Sequence, residues 1–199
     1  MADSNNIYKD IIKPVCVLLA ICVIIPLALS LTNKVTADKI AELEEKNSRE
    51  TMANLIEADE FTEEEFKNGE DEFTYYFALK DGNIIGYIFK TAEKGYGGDV
   101  SVMTAVNPDG TVKSVAILDV SNETPGLGQN AAKESFYTQY EGKKSGISLL
   151  KSGADSAKNE VNAVTGATIT STAVNKAVNT ALEQFESVKS NEEVTEGEK

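Results

Sequence analysis

An α+β architecture behind one apolar N-terminal helix is the fold class this sequence predicts, and three patterns predict it. From Pro14 to Leu31 the chain carries no charge. Between Phe73 and Leu118, β-rich runs alternate with turn signals. After Ser171, apolar residues return at three- and four-residue steps, the spacing of one helix face. Strands followed by helices point to an antiparallel sheet packed against helices. Beyond the apolar segment, the 199 residues leave room for one soluble domain with one core.

With Ile11 and Ile12 added, the apolar run reaches the roughly 20 residues that a spanning helix needs, so residues 11–31 are expected to cross a membrane. Pro26 can kink a membrane helix without ending it. A cleaved signal peptide is the competing reading, with Ala28 and Ser30 as small residues at a cleavage position; the length of the run favours the uncleaved anchor. Lys9 and Lys13 before the span are balanced by Lys34 and Lys39 after it, so charge does not orient it. Cys16 and Cys22 lie roughly 9 Å apart along a helix, beyond disulfide reach, and serve as small hydrophobes.

Residues 32–60 are expected to form a juxtamembrane helix. Thr36 to Glu57 contains no Gly or Pro and has Ile40, Leu43, Met52, Leu55 and Ile56 as its apolar positions. The gap between Leu43 and Met52 is too wide for a coiled-coil seam, so this helix lifts the domain off the membrane and docks its far end on it. Glu63, Glu64 and Glu65 read as a solvated acidic turn.

Strands follow in two hairpins. Phe73–Leu79 returns as Ile84–Phe89 across Lys80-Asp81-Gly82-Asn83, and Asp99–Val106 returns as Val112–Leu118 across Asn107-Pro108-Asp109-Gly110. Tyr75, Tyr76 and Tyr87 are expected as core or cross-strand aromatics rather than a stacking platform. Between the hairpins, Lys94-Gly95-Tyr96-Gly97-Gly98 is either a close approach of backbone to a ligand or a mobile connection. Helices are expected near Lys133 to Tyr140 and from Ser171 to Val188. Residues 189–199 are polar and acidic, with almost nothing to bury, and are expected to be a disordered tail.

Composition excludes several chemistries. The net charge of −13 and pI near 4.5 argue against nucleic acid, whose backbone is bound by clustered Lys and Arg. The chain has no His, which removes Ser-His-Asp and Cys-His nucleophile systems, His-ligated haem and the usual catalytic zinc sites. Its 2 Cys cannot supply an iron–sulfur cluster alone.

The most informative stretch is Asn162-Ala163-Val164-Thr165-Gly166-Ala167-Thr168-Ile169-Thr170-Ser171. It precedes Val174, Val178, Ala181, Leu182 and Phe185, the apolar stripe of the last helix, and so lies where that helix begins. Free N–H groups of a first helical turn favour an anion, and Gly166 and Ala167 carry too little side chain to block one. Thr170 or Ser171 as a simple N-cap is the alternative. Upstream, in Glu123-Thr124-Pro125-Gly126-Leu127-Gly128, Pro125 fixes one dihedral while Gly126 and Gly128 permit positive φ, which can hold Leu127 in a defined exposed position. A plain strand-to-helix turn is the other reading of that loop.

The two motifs, in this order, resemble those of the FMN-binding domain family. In that family an Asp stands three residues before Ser/Thr-Gly-Ala-Thr, and the final Thr carries FMN through a phosphoester. Thr165, Gly166, Ala167 and Thr168 match, while the Asp position holds Asn162. With the anchor included, the chain resembles the G subunits of Rnf electron-transport complexes, and more distantly the C subunits of the sodium-pumping quinone reductase. The resemblance implies that residues 61–188 form an FMN-binding domain and that Thr168 is the covalent attachment point, making the chain a phosphoprotein through its flavin. It implies cofactor contacts from Thr165, Gly166, Ala167 and Thr170, and from Glu123, Thr124, Gly126, Leu127 and Gly128, with no catalytic residue and no metal. It also implies electron carriage in an ion-translocating ferredoxin:NAD oxidoreductase of the cell membrane. Partners would be the other membrane and iron–sulfur subunits, and a flavin transferase during maturation. Residues 1–10 would be cytoplasmic and the soluble domain extracytoplasmic. A free-standing anchored flavoprotein that reduces an external acceptor, and a binding module without flavin, remain the alternatives.

Overall fold

The computed structural model describes residues 12–69 and 71–197. The expected cytoplasmic segment 1–10, the first residue of the expected span and the last two residues of the expected tail lie outside the described residues. The chain divides into two compact units, Met1–Arg49 and Glu50–Lys199.

The described residues of the first unit are helical, and the helix ends inside the second unit, to which its residues from Glu50 onward belong. Helix α1 runs Lys13–Leu55 through Pro26 without a break, so the apolar and polar segments expected as two helices are one. Nothing after Leu31 stops it, and Thr32 and Thr36, whose side chains can compete for backbone, turn their hydroxyls onto the carbonyls of Ala28 and Thr32. Its part Lys13–Ala37 is long and apolar enough to cross a membrane, and its most apolar 18-residue window has a mean hydropathy of 2.8.

The second unit is built on a five-stranded antiparallel sheet with order β1-β2-β3-β4-β5. The strands are β1 Glu60–Asn68, β2 Asp71–Lys80, β3 Asn83–Lys94, β4 Asp99–Val106 and β5 Val112–Asp119. Both expected hairpins form; Asp81 at φ 51 and Gly82 at φ 75 supply the two left-handed residues of a tight β2–β3 turn. Strand β1 is a correction. Glu63, Glu64 and Glu65 are not a turn but stand opposite Tyr76, Tyr75 and Thr74 in a nine-residue ladder. Phe66 anchors the strand by stacking on Phe73, with centroids 4.7 Å apart. An edge strand can keep three carboxylates in water, which a central strand cannot.

Helix α3, Thr168–Gly197, covers one face of the sheet. Its Val174, Val178, Leu182 and Phe185 are buried against Tyr87, Phe89, Val100 and Val102. Thr91 reaches across to donate to the Ala177 carbonyl at 2.9 Å, and the Tyr87 ring meets Phe185 edge-on at 5.2 Å. Each such fully buried side chain contributes about 1.5–3 kcal/mol. Tyr75 and Tyr87 are thus core residues, as their pattern predicts. The opposite face is covered by Met52, Leu55 and Ile56, which pack with Ala78, Ile88, Met103 and Ala105. There Ser114 donates to the Leu55 carbonyl at 2.8 Å. A Cβ at Gly86 would lie 2.8 Å from Ile56 Cδ1 and 3.0 Å from the Val106 carbonyl oxygen, so the bare backbone makes room for this close packing.

Two expectations about helices are revised. The segment near Lys133 to Tyr140 is a chain of short turns rather than one helix: a 3₁₀ turn Gly128–Ala132, α2 at Glu134–Tyr137 and a 3₁₀ turn Thr138–Tyr140. Helix α3 continues to Gly197, where a disordered tail from residue 189 was expected. No Gly or Pro interrupts it before Gly197, and Lys189 ties it to the sheet, donating to the Tyr87 hydroxyl at 2.6 Å and lying 4.7 Å above that ring's centre. A two-stranded parallel pair, β6 Ser148–Leu150 and β7 Glu160–Asn162, leads into the hydroxyl-rich motif. Its three-residue strands are too short to show periodicity.

Candidate functional site

Two chain segments far apart in sequence meet at the start of α3. After β7, the motif turns sharply at Val164-Thr165-Gly166-Ala167, closed by the Ala167 N–H to the Val164 carbonyl at 3.0 Å, with Gly166 at φ 77. Positive φ at the third turn position is the type II requirement, which favours glycine. Helix α3 then begins at Thr168, and its first internal bond is Ser171 N–H to Ala167 O at 2.9 Å. The amides of Thr168, Ile169 and Thr170 therefore precede the helical ladder and form the electropositive first turn.

Neither Thr170 nor Ser171 caps the helix. Ser171, fully buried, accepts from the Val164 N–H and donates to the Ala167 carbonyl, both at 2.9 Å, stapling the turn onto the helix. Thr170, 1% exposed, donates its hydroxyl to the carboxylate of Glu123. Thr168 is exposed, and its hydroxyl makes no hydrogen bond among the described residues.

Glu123 is itself 2% exposed. Its Oε1 accepts from the Gly97 N–H at 2.9 Å, which draws the β3–β4 loop onto the site. Burial pushes its pKa up, but the hydrogen bonds from Thr170 and from the N–H groups of Gly97, Tyr96 and Gly98 outweigh it and hold the carboxyl below its ordinary value. Space around it is made by glycine. A Cβ on Gly128 would lie 2.6 Å from Glu123 Oε2 and 2.7 Å from Thr170 Oγ1, and one on Gly95 would lie 2.5 Å from Glu123 Oε1. Gly128 thus serves by its small size and not, as the sequence suggests, by a positive φ; Gly126, at φ 76, is the one that turns the loop. Its carbonyl accepts from the Asn130 side chain at 2.6 Å.

The walls enclose a cavity of about 490 Å³. Glu123, Thr124, Leu127 and Gly128 line one side, with Gly166, Ala167, Thr168 and Thr170 on the other. Thr165 and Gly126 are not in the lining; Thr165 is exposed on the turn. Tyr96 and Ile169 also line the cavity. The glycine loop left open by its sequence therefore belongs to the site. Ile169 was missed, and its only signal was an apolar residue off the buried stripe of α3. Tyr96, Leu127 and Ile169 are 72%, 44% and 55% exposed, so three large apolar side chains surround the opening.

Such a site suits a flat, partly apolar molecule with an anionic end. Its volume lies in the about 300–1,000 Å³ range of small-ligand sites. The first-turn amides suit a phosphate, and the apolar rim suits an aromatic ring system.

Asn162 does not lie in a loop. It ends β7, where its Oδ1 accepts from the Ala154 N–H at 2.9 Å and its backbone is clasped by Gln139, whose Oε1 accepts from the Asn162 N–H at 2.8 Å. An amide oxygen and a carboxylate oxygen can both fill this acceptor role.

Residues 95–183 match the FMN-binding domain family. The chain is 38% identical to the G subunit of a proton-translocating ferredoxin:NAD(+) oxidoreductase complex from Clostridium ljungdahlii, across 92% of this chain and 93% of that protein. It is 32% identical to the G subunit of a Na(+)-translocating ferredoxin:NAD(+) oxidoreductase complex from Acetobacterium woodii, across 91% and 94%. Its fold is similar to two crystal structures. Shewanella oneidensis NqrC has a TM-score of 0.51 and 23% identity over 58% of this chain and 61% of that one. The C subunit of the Na(+)-translocating NADH-quinone reductase from Parabacteroides distasonis has a TM-score of 0.53 and 22% identity over 68% and 79%.

Proposed function

We propose, since the chain belongs to the family of G subunits of ion-translocating ferredoxin:NAD(+) oxidoreductase complexes, that it is the membrane-anchored flavoprotein subunit of such a complex and carries its FMN on Thr168. An FMN bound there would accept and pass on electrons, the redox chemistry that the chain's own side chains lack. The chain alone turns over no substrate.

The observation that carries the residue assignment is the division of labour among three threonines. Thr170 is buried and its hydroxyl is engaged by Glu123. Thr165 stands outside the cavity lining. Thr168 lines the cavity, is exposed, and has an uncommitted hydroxyl at the electropositive turn. A phosphoester there leaves the flavin ring unsubstituted, with Leu127, Tyr96 and Ile169 available to pack on it. Thr168 attaches and the surrounding groups orient.

Helix α1 supplies the anchor, and the domain stands on the extracytoplasmic side, where a flavin transferase modifies it. Its partners are the membrane and iron–sulfur subunits of the complex.

Peptide mass spectrometry tests the reading. Tryptic cleavage releases a peptide from Asn159 to Lys176. The expected result is an addition of FMN less water on that peptide, with fragment ions placing it on Thr168. An unmodified peptide from cells that contain a flavin transferase overturns the reading.

A further inference from the structure

We propose that Glu123 is a positioning residue of the flavin site that also fixes a negative charge in its wall, and that this charge makes a flavin held there harder to reduce. The proposal rests on the functional reading above and concerns a carboxylate of the cavity lining whose two oxygens are both already engaged within the protein. Glu123 is 2% exposed. Its oxygens already accept from Thr170 Oγ1 and the Gly97 N–H.

Those same bonds make it the point where three segments are joined. It lies in the loop after β5, receives the β3–β4 loop through Gly97, and receives the first turn of α3 through Thr170. Gly128 and Gly95 leave room for it on two sides, since a Cβ on either would crowd its oxygens. The cavity keeps its shape because this one side chain holds both walls.

A neutral glutamine would fill similar space and offer one acceptor oxygen, but it would carry no charge. The charge is what needs a reason, because burying a carboxylate without a cation is costly. Among the described residues Glu123 has no ion pair, and hydrogen-bond donors take the place of a cation. These donors also hold its pKa below the ordinary value, which keeps it ionised at neutral pH. Reduction adds negative charge to a flavin. An unpaired anion in a poorly solvated wall of the same cavity opposes that addition, and weakly screened charges act strongly at such range. The hydroxyl of Thr170 moderates the effect by placing a positive dipole end on the carboxylate.

Two substitutions should therefore move the flavin's midpoint potential in opposite directions. Glu123→Gln removes the charge and raises the potential. Thr170→Val keeps the charge but strips its donor, and lowers the potential. A merely structural disturbance, such as opening the cavity to water, would move both the same way. The measurement is a spectroelectrochemical titration of full-length, flavinylated protein, with attachment checked on the Asn159–Lys176 peptide. Opposite shifts support the proposal; shifts of the same sign, or an unchanged potential in Glu123→Gln, overturn it and leave the flavin assignment standing. If Glu123→Gln gives no flavinylated protein, Thr170→Val decides alone, a downward shift supporting the proposal and any other result overturning it. A natural protein without flavin, made beside an active transferase, overturns the functional reading and this proposal together.

Discussion

The hydroxyl of Thr170 donates a hydrogen bond to the carboxylate of Glu123, and both groups are buried. Two residues away, Thr168 is exposed on the same cavity, its hydroxyl unbonded among the described residues. One turn of helix therefore contains one structural threonine and one available threonine. Thr168→Val should fold, reach the membrane and lose all covalent flavin. Thr170→Val should keep the flavin and lose about 2 kcal/mol of stability, the usual worth of a hydrogen bond to a charged group. Peptide mass spectrometry and chemical denaturation read the two effects separately; flavin retained in Thr168→Val would mean that the acceptor lies elsewhere.

Glu123 also sets an acid dependence. Its folded pKa is depressed, so the stability it contributes is present in full above the unfolded value of about 4.3 and is lost as pH falls through the lower folded value. The stability gap between the natural protein and Glu123→Gln should thus be widest near neutral pH and narrow progressively in acid, as pH falls past the unfolded value and through the lower folded one. Denaturation midpoints across that range test it, and a gap that widened in acid would reverse the sign of the shift.

Gly128→Ala should be costly for a residue in a loop. The added methyl would sit 2.6 Å from Glu123 Oε2, and that carboxylate is held from two sides. Overpacking of this kind costs about 1–3 kcal/mol. Gly126→Ala should also destabilise, through its positive φ and not through contact, because nothing lies within 4 Å of its missing Cβ. The two mechanisms separate in an Asn scan: Asn tolerates a left-handed backbone, so Gly126→Asn should recover most of the loss and Gly128→Asn none of it.

Asn162→Asp should leave fold and flavin occupancy unchanged, since either side chain offers an oxygen to the Ala154 N–H. Asn162→Leu should lose about 1–3 kcal/mol by leaving the Ala154 N–H without its acceptor. A flavin occupancy that rises in Asn162→Asp would show instead that a carboxylate at this position matters to the transferase.

The anchor is tested by fractionation. The full chain should need detergent to leave the membrane, and a chain beginning at Lys34 should be soluble. Recovery of the protein in a salt wash, with a new N-terminus after Ser30, would identify the apolar stretch as a cleaved signal peptide.

Much of this protein could be read from sequence because the relevant physics is local. A charge-free run, Asp81-Gly82 between β-rich segments, and the Val174-Val178-Leu182-Phe185 stripe each specify their element through neighbours close in the chain. The hydroxyl-rich motif was legible for the same reason, with Gly166 marking its turn and the stripe marking the helix after it. What stayed hidden depends on which distant segments meet. Three glutamates at 63–65 look like a turn until Phe66 finds Phe73 and makes them the outer edge of a sheet. Local physics alone does not show which hydroxyls of Thr165, Thr168 and Thr170 are committed; Glu123, far from them in sequence, engages that of Thr170. Gly128 looks like a turn residue, yet its lack of a side chain makes room for that carboxylate. Periodicity and turn chemistry act within a few residues, whereas burial, close approach and the partner of a buried charge are created only when the chain closes on itself.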